Sequence, residues 1–132
     1  GSLNPASHET VDKQMHAVHQ DGRKVFKFAV KLMTEVCQEL LDRNHLGPED
    51  IKLFIPHQAN LRIINSSVER LGLKEDQVFV NIDRYANTTA ATIPVGLAEA
   101  QKEGRLQDGD LVLLASFGAG FTWGGILLRW GF

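Results

Sequence analysis

Two short runs constrain this chain more than anything else in it. Ile51 to Pro56 and Leu111-Val112-Leu113-Leu114-Ala115 are apolar almost throughout rather than at every second position. A strand with one wet face alternates, whereas a strand apolar on both sides belongs to a helix-covered sheet. Amphipathic helical patterns flank these runs. From Arg23 to Arg43, Val25, Phe26, Ala29, Val30, Met33, Val36, Cys37, Leu40 and Leu41 form a wide apolar stripe with charges opposite. Gly47-Pro48 is the expected stop for that helix. Asn60 to Leu71 returns to helical spacing and ends at Gly72. Ala90 to Lys102 reads as a helix with Pro94 in its first turns and Gly104 as terminator. Val78 to Ile82 alternates and predicts a further strand. Thr122 to Trp130 predicts a last one, reached by a tight Gly118-Ala119-Gly120 connection and carrying Gly124 and Gly125.

The order helix, strand, helix, strand, helix, strand, strand predicts an α/β architecture: a layered mixed β-sheet with helices and an antiparallel C-terminal strand pair. Such a sheet does not normally open on a helix. The chain is therefore expected to lack the sheet's first strand, to leave a row of backbone groups unpaired, and to be part of something larger. Residues 1–21 are polar, broken by Pro5, and read as an arm or linker, with Gly1-Ser2 either a tag remnant or native.

Bulk properties narrow the function classes. A formal net charge of −2 over 132 residues lacks the basic excess of nucleic-acid and membrane-surface binders. No apolar run reaches the roughly 20 residues of a membrane helix. The single cysteine excludes an internal disulfide framework and fits a reducing compartment, so the expected location is cytoplasmic.

The candidate chemistry sits at strand ends. His57 follows the first buried-type strand, where open α/β sheets place their ligand crevices. A histidine there can equally satisfy a core hydrogen bond. Gln58 and Asn60 beside it make a polar cluster that is costly to bury without something to contact. Asn87 opens Asn87-Thr88-Thr89-Ala90-Ala91-Thr92, which reads either as a helix cap or as a small, hydroxyl-rich approach to a ligand. A neutral imidazole N–H and a carboxamide NH₂ can both donate to one developing oxyanion, but neither is a strong nucleophile. Phe117 to Gly124 is a glycine-rich turn, either a plain hairpin or one that offers a backbone N–H to a pocket. Cys37 lies on the apolar stripe and reads as an inert core thiol. His16 and His19, with His8, could bind a metal only adventitiously, so no metal site is expected. Lys24, Lys27, Arg62 and Arg70 are solvated charges unless they gather at a pocket mouth to meet phosphates or an acidic carrier.

The runs Gly22-Arg23-Lys24-Val25-Phe26-Lys27, Pro56-His57-Gln58-Ala59-Asn60-Leu61-Arg62-Ile63, Asn87-Thr88-Thr89-Ala90-Ala91 and Phe117-Gly118-Ala119-Gly120-Phe121-Thr122-Trp123-Gly124 occur in that order. Together they resemble the C-terminal half of a β-ketoacyl-acyl-carrier-protein synthase III, of the thiolase fold. The resemblance implies that residues 22–132 are the C-terminal thiolase-like half of a Cys-His-Asn condensing enzyme whose nucleophilic cysteine lies in an N-terminal half. That cysteine takes an acyl group from coenzyme A, and the carbanion of malonyl-acyl-carrier protein attacks it. His57 and Asn87 match the oxyanion donors, and the Ala119 N–H matches a backbone donor to the acyl-cysteine oxygen. Phe26 and Asn60 match pantetheine-channel positions, Phe117 and Gly118 substrate-contacting ones, and Arg62, Lys27 and Arg70 a carrier-docking patch. No cofactor is implied beyond coenzyme A thioester and phosphopantetheine-linked substrates. The implied partners are acyl-carrier protein, acyl-CoA, the N-terminal half and a second copy in a homodimer. Ala86 stands where the family usually has glycine, and Thr89 and Thr92 where serine is common. Three alternatives stay open: a related condensing enzyme of polyketide or secondary metabolism, a non-catalytic carrier-docking module, and an unrelated α/β domain whose motifs are caps and turns.

Overall fold

The computed structural model describes residues 4–18 and 20–131. Gly1-Ser2 and His19 therefore lie outside the described residues. The helices are α1 (His8–Asp12), α2 (Gly22–Arg43), α3 (Leu61–Leu71), α4 (Ile82–Tyr85) and α5 (Thr92–Lys102), and the strands are β1 (Leu53–Pro56), β2 (Leu111–Gly118) and β3 (Thr122–Arg129). The sheet runs β1-β2-β3, with β1 parallel to β2 and β2 antiparallel to β3. Among the described residues β3 forms a free edge, in keeping with an open-edged mixed sheet.

Alternation along each strand divides the core in two. Phe54, Leu113, Ala115 and Leu127 face α2 and α3, where Ala29, Val30, Met33, Cys37, Leu41, Ile63 and Ile64 meet them. Leu53, Ile55, Val112, Leu114 and Leu128 face the other way, toward Ile93, Leu97 and Ala100 of α5. The result is three layers, helix on sheet on helix, which is why β1 and β2 are apolar on both sides. Contact between layers is tightest at two glycines. A Cβ on Gly125 would meet Leu40 of α2 at 2.9 Å, and one on Gly96 of α5 would meet Ile55 of β1 at 2.8 Å.

Four sequence expectations need correction. Val78 to Ile82 is not a strand: it makes one parallel bridge, Phe54 to Val78, and then turns into α4. Its alternation is real, but the next backbone groups are taken by a side chain. Gln58 is buried; its Nε2 donates to the carbonyls of Pro56 (2.8 Å) and Phe79 (3.2 Å), and its Oε1 accepts from Asn81 N (3.1 Å). Gln58 is thus a backbone clamp and not a ligand-facing group. The long helix stops at Asn44, whose Nδ2 donates to Leu40 O, followed by His45 at φ 55°, so Gly47-Pro48 opens a separate 3₁₀ turn. The arm is also not all loop. Ser7 accepts from Thr10 N, and Thr10 Oγ1 accepts from Ser7 N in return, which caps both ends of α1's first turn.

Candidate functional site

A cleft of about 1240 Å³ opens where four segments meet: the end of the arm with the start of α2, the β1–α3 turn, the loop before α5, and the tip of the β2–β3 hairpin. Its lining includes His57, Asn87, Phe26, Asn60, Arg62, Phe117, Gly118 and Ala119. The sequence placed all eight at a site from separate runs, and the fold brings them to one place. Lys27 and Arg70 are exposed and stand off the lining, so the two expected carrier-docking cations do not share the cleft with Arg62. A second hollow of about 480 Å³ at the opposite end of the sheet, around Lys52, Asp76 and Asp110, contains none of the predicted residues.

Each functional group is held by its own local structure. His57 N donates to Ala115 O at 2.8 Å, extending the β1–β2 ladder one residue beyond the strand. The half-buried ring packs edge-on to Phe117, with centroids 5.8 Å apart, and its Nδ1 lies 2.6 Å from Thr92 Oγ1. Burial lowers its pKa below the ordinary 6.5, since removing water disfavours the cation. At neutral pH the imidazole is uncharged, with one N–H and one lone pair.

Asn87 is exposed to the cleft. Its Oδ1 accepts from Thr89 N at 2.9 Å, which fixes the carboxamide and commits its acceptor end. Among the described residues the NH₂ end has no protein partner, so it is the free half of the group. Asn87 is not the cap of α5; a 3₁₀ turn, Thr89–Ala91, intervenes. The loop leading into it is held from behind. Glu99 of α5 accepts from Asn81 Nδ2 (2.8 Å) and Tyr85 OH (2.7 Å) and pairs with Arg84 (3.1 Å), tying α4 to α5 two residues before Asn87. The hydrogen bonds from Asn81 and Tyr85 hold the Glu99 carboxyl below its usual range.

Ala86, between that anchor and Asn87, sits at φ 54°, ψ −157°, a region glycine tolerates and side chains rarely enter. Ala86→Gly is expected to raise stability by about 1 kcal/mol, strain relief exceeding the added freedom of the unfolded chain. A denaturant midpoint shifted downward would contradict this.

The hairpin turn presents Ala119, whose carbonyl accepts from Thr122 Oγ1 at 3.1 Å and whose N–H is unpaired among the described residues. Phe28 stacks on Phe121 at 5.2 Å, joining the hairpin tip to α2. Arg62 lies over the Phe26 ring, 5.5 Å from its centroid, and Asn60 caps α3 by accepting from Arg62 N. Sequence reasoning missed the arm residues Val18, Gln20 and Asp21 in the lining and the role of Thr92 behind His57. The first carry no motif; the second was legible only as one more hydroxyl in the run after Asn87.

Cys37 is fully buried and its thiol is pushed up to about 12 by that burial. The chain's one cysteine is therefore not a nucleophile at neutral pH. Among the described residues no cluster of His, Cys, Asp and Glu is placed to hold a metal ion, and no helix is long and apolar enough to cross a membrane.

A cleft at strand ends, with neutral hydrogen-bond donors on two of its walls, is framed here by a thiolase-type layered fold shared with solved synthase III and ketosynthase structures. The family described as 3-Oxoacyl-[acyl-carrier-protein (ACP)] synthase III C terminal matches residues 41–130, and the chain belongs to it. It is 56% identical over 130 residues to the beta-ketoacyl-[acyl-carrier-protein] synthase III of Chlorobium phaeobacteroides, covering 98% of this chain and 40% of that protein. The 3-oxoacyl-[acyl-carrier-protein] synthase III of Aquifex aeolicus superposes with a TM-score of 0.83 at 51% identity, over 85% of this chain and 36% of that one. The priming beta-ketosynthase of the R1128 polyketide biosynthetic pathway superposes with a TM-score of 0.78 at 36% identity, over 87% and 35%. The chain thus spans about 40% of the length of the curated relatives it matches.

Proposed function

We propose that this cleft is the enolate-stabilising part of a decarboxylative Claisen condensation that joins an acyl group to malonyl-acyl-carrier protein at the start of fatty-acid synthesis. The acyl group, delivered by acyl-CoA, is held as a thioester on a cysteine supplied by polypeptide outside this chain. Malonyl thioester loses CO₂, and the electron pair of the broken C–C bond collects on the thioester oxygen. His57 and Asn87 donate to that oxygen. The enolate carbon then attacks the acyl carbonyl, whose oxyanion is met by the Ala119 N–H, and the cysteine thiolate departs. Phe117 packs beside the carboxylate that is lost, an apolar neighbour that favours its departure as neutral CO₂. Phe26, Asn60 and Gly118 line the pantetheine path, and Arg62 at the cleft, with the exposed Lys27 of α2 and Arg70 of α3, meets the acidic carrier. A cytoplasmic homodimer is the form in which this reading places the whole enzyme.

One observation carries the reading: the free NH₂ of Asn87 and the imidazole of His57 line the same cleft, with the Asn87 acceptor end already committed to Thr89. The test uses the full-length polypeptide that carries this segment, with acyl-CoA and malonyl-carrier protein, following CO₂ release and ketoacyl product. The full-length protein is expected to turn over and this chain alone to give no condensation. A stoichiometric acyl adduct on Cys37, or no product from the full-length protein, would overturn it. The likeness to the priming ketosynthase favours a second reading in which the same chemistry primes a polyketide. Product analysis separates the two.

A further inference from the structure

Among the described residues the His57 ring makes one polar contact, and it raises a question that the donor role leaves open, namely which nitrogen carries the proton. Nδ1 and Thr92 Oγ1 are 2.6 Å apart, and either can be the donor. If Nδ1–H donates, Nε2 is a bare lone pair that repels an oxyanion. If the threonine hydroxyl donates, Nδ1 is the acceptor and the ring's one proton sits on Nε2.

The surroundings of Thr92 choose between them. Thr34, Thr89 and Thr122 each donate their hydroxyl to a backbone carbonyl: Val30 O, Thr88 O and Ala119 O. Thr92 has no such acceptor. It is 3% exposed, so water is not a ready substitute, and among the described residues its only partner is His57. With Nδ1–H as donor, the buried hydroxyl proton would have nowhere to go. With Thr92 as donor, both atoms are satisfied at once. Thr92 also begins α5, so the ring packs against a helix N-terminus, whose positive end disfavours a second ring proton. His57 lines the cleft and Thr92 does not, so the nitrogen that faces the cleft is Nε2.

We propose that Thr92 is a positioning residue for the condensation: its hydroxyl donates to His57 Nδ1 and so places the imidazole proton on Nε2, aimed at the developing enolate oxygen. This rests on the donor role of His57 set out above. It assigns to the hydroxyl, rather than to the bulk of the side chain, the task of choosing the tautomer. Serine retains the function at this position. Valine keeps the shape and loses it.

The test reads the tautomer directly, by ¹⁵N–¹H long-range correlation of the His57 ring in the full-length protein. The wild-type spectrum is expected to show the Nε2-protonated form. Thr92→Ser retains it, whereas Thr92→Val shifts weight toward the Nδ1-protonated form. If the wrong tautomer comes to prevail ten to one, kcat for decarboxylation falls about tenfold in Thr92→Val at unchanged KM and recovers in Thr92→Ser. A wild-type ring protonated on Nδ1 overturns the proposal, whether or not the valine variant folds. So does a Thr92→Val enzyme with wild-type kcat. If instead His57→Ala leaves decarboxylation intact, the donor role itself fails, whatever the spectrum of the ring.

Discussion

Asn87→Asp should lower kcat for condensation by roughly 10²–10³, about 2.7–4 kcal/mol of barrier, in the full-length enzyme without a comparable loss of stability. The substitution separates two functions that alanine would remove together. Aspartate keeps an oxygen to accept from Thr89 N, so the loop that Asn87 organises survives. What disappears is the NH₂ donor, replaced by a carboxylate oxygen that repels an enolate. His57→Ala should cost a similar factor. The double variant should cost less than the product of the two, because in the proposed reaction both groups serve one oxygen and the second loss acts on a transition state already unsupported. In the proposed reaction, transfer of the acyl group from coenzyme A to the nucleophile precedes enolate formation, and it should be spared. Rates of acyl-enzyme formation and of CO₂ release, measured separately, check this. An Asn87→Asp enzyme that decarboxylates at the wild-type rate would refute the donor assignment.

Gln58→Ala is expected to be among the most destabilising single substitutions in the chain, at about 3–5 kcal/mol by chemical denaturation. Three backbone groups, the carbonyls of Pro56 and Phe79 and the amide of Asn81, depend on this one buried carboxamide. Truncation strands all of them away from water and leaves a cavity besides. Gln58→Glu supplies a sharper test. Nε2 becomes an oxygen facing two carbonyls, so the carboxyl must bind a proton to restore a donor. Its folded-state pKa is then raised above the unfolded value near 4.3. The native state binds more protons, and the variant should be most stable below that pH and lose stability as pH rises through its folded pKa. A Gln58→Glu protein whose stability is independent of pH relative to the parent would show that the clamp is not needed.

Gln58 also marks the boundary of what the sequence discloses. The layered fold, the two buried strands, the hairpin and the three longer helices follow from hydrophobic period and glycine placement, which are local properties. Val78 to Ile82 shows where period fails. Its alternation is that of a strand, yet what decides its fate is a glutamine twenty residues earlier that occupies its hydrogen-bonding groups. The same holds in the cleft. His57, Asn87 and Ala119 are visible as motifs because each stands at a turn. Thr92 is not, because its significance lies in lacking a carbonyl partner, and that is a property of three-dimensional packing. Lys27 and Arg70 show the same limit: they lie exposed on α2 and α3 outside the cleft lining, and charge alone says nothing about direction.

The close seating of α5 on β1 at Gly96 bears on how such a cleft tolerates change. The bare Gly96 backbone lets helix and sheet come within reach of each other, with Thr92 one turn above it and His57 two residues beyond Ile55. Any side chain at that point would wedge the layers apart and lengthen the hydroxyl–imidazole contact without touching either partner. The distance that sets the imidazole proton is thus held by a residue with no side chain at all.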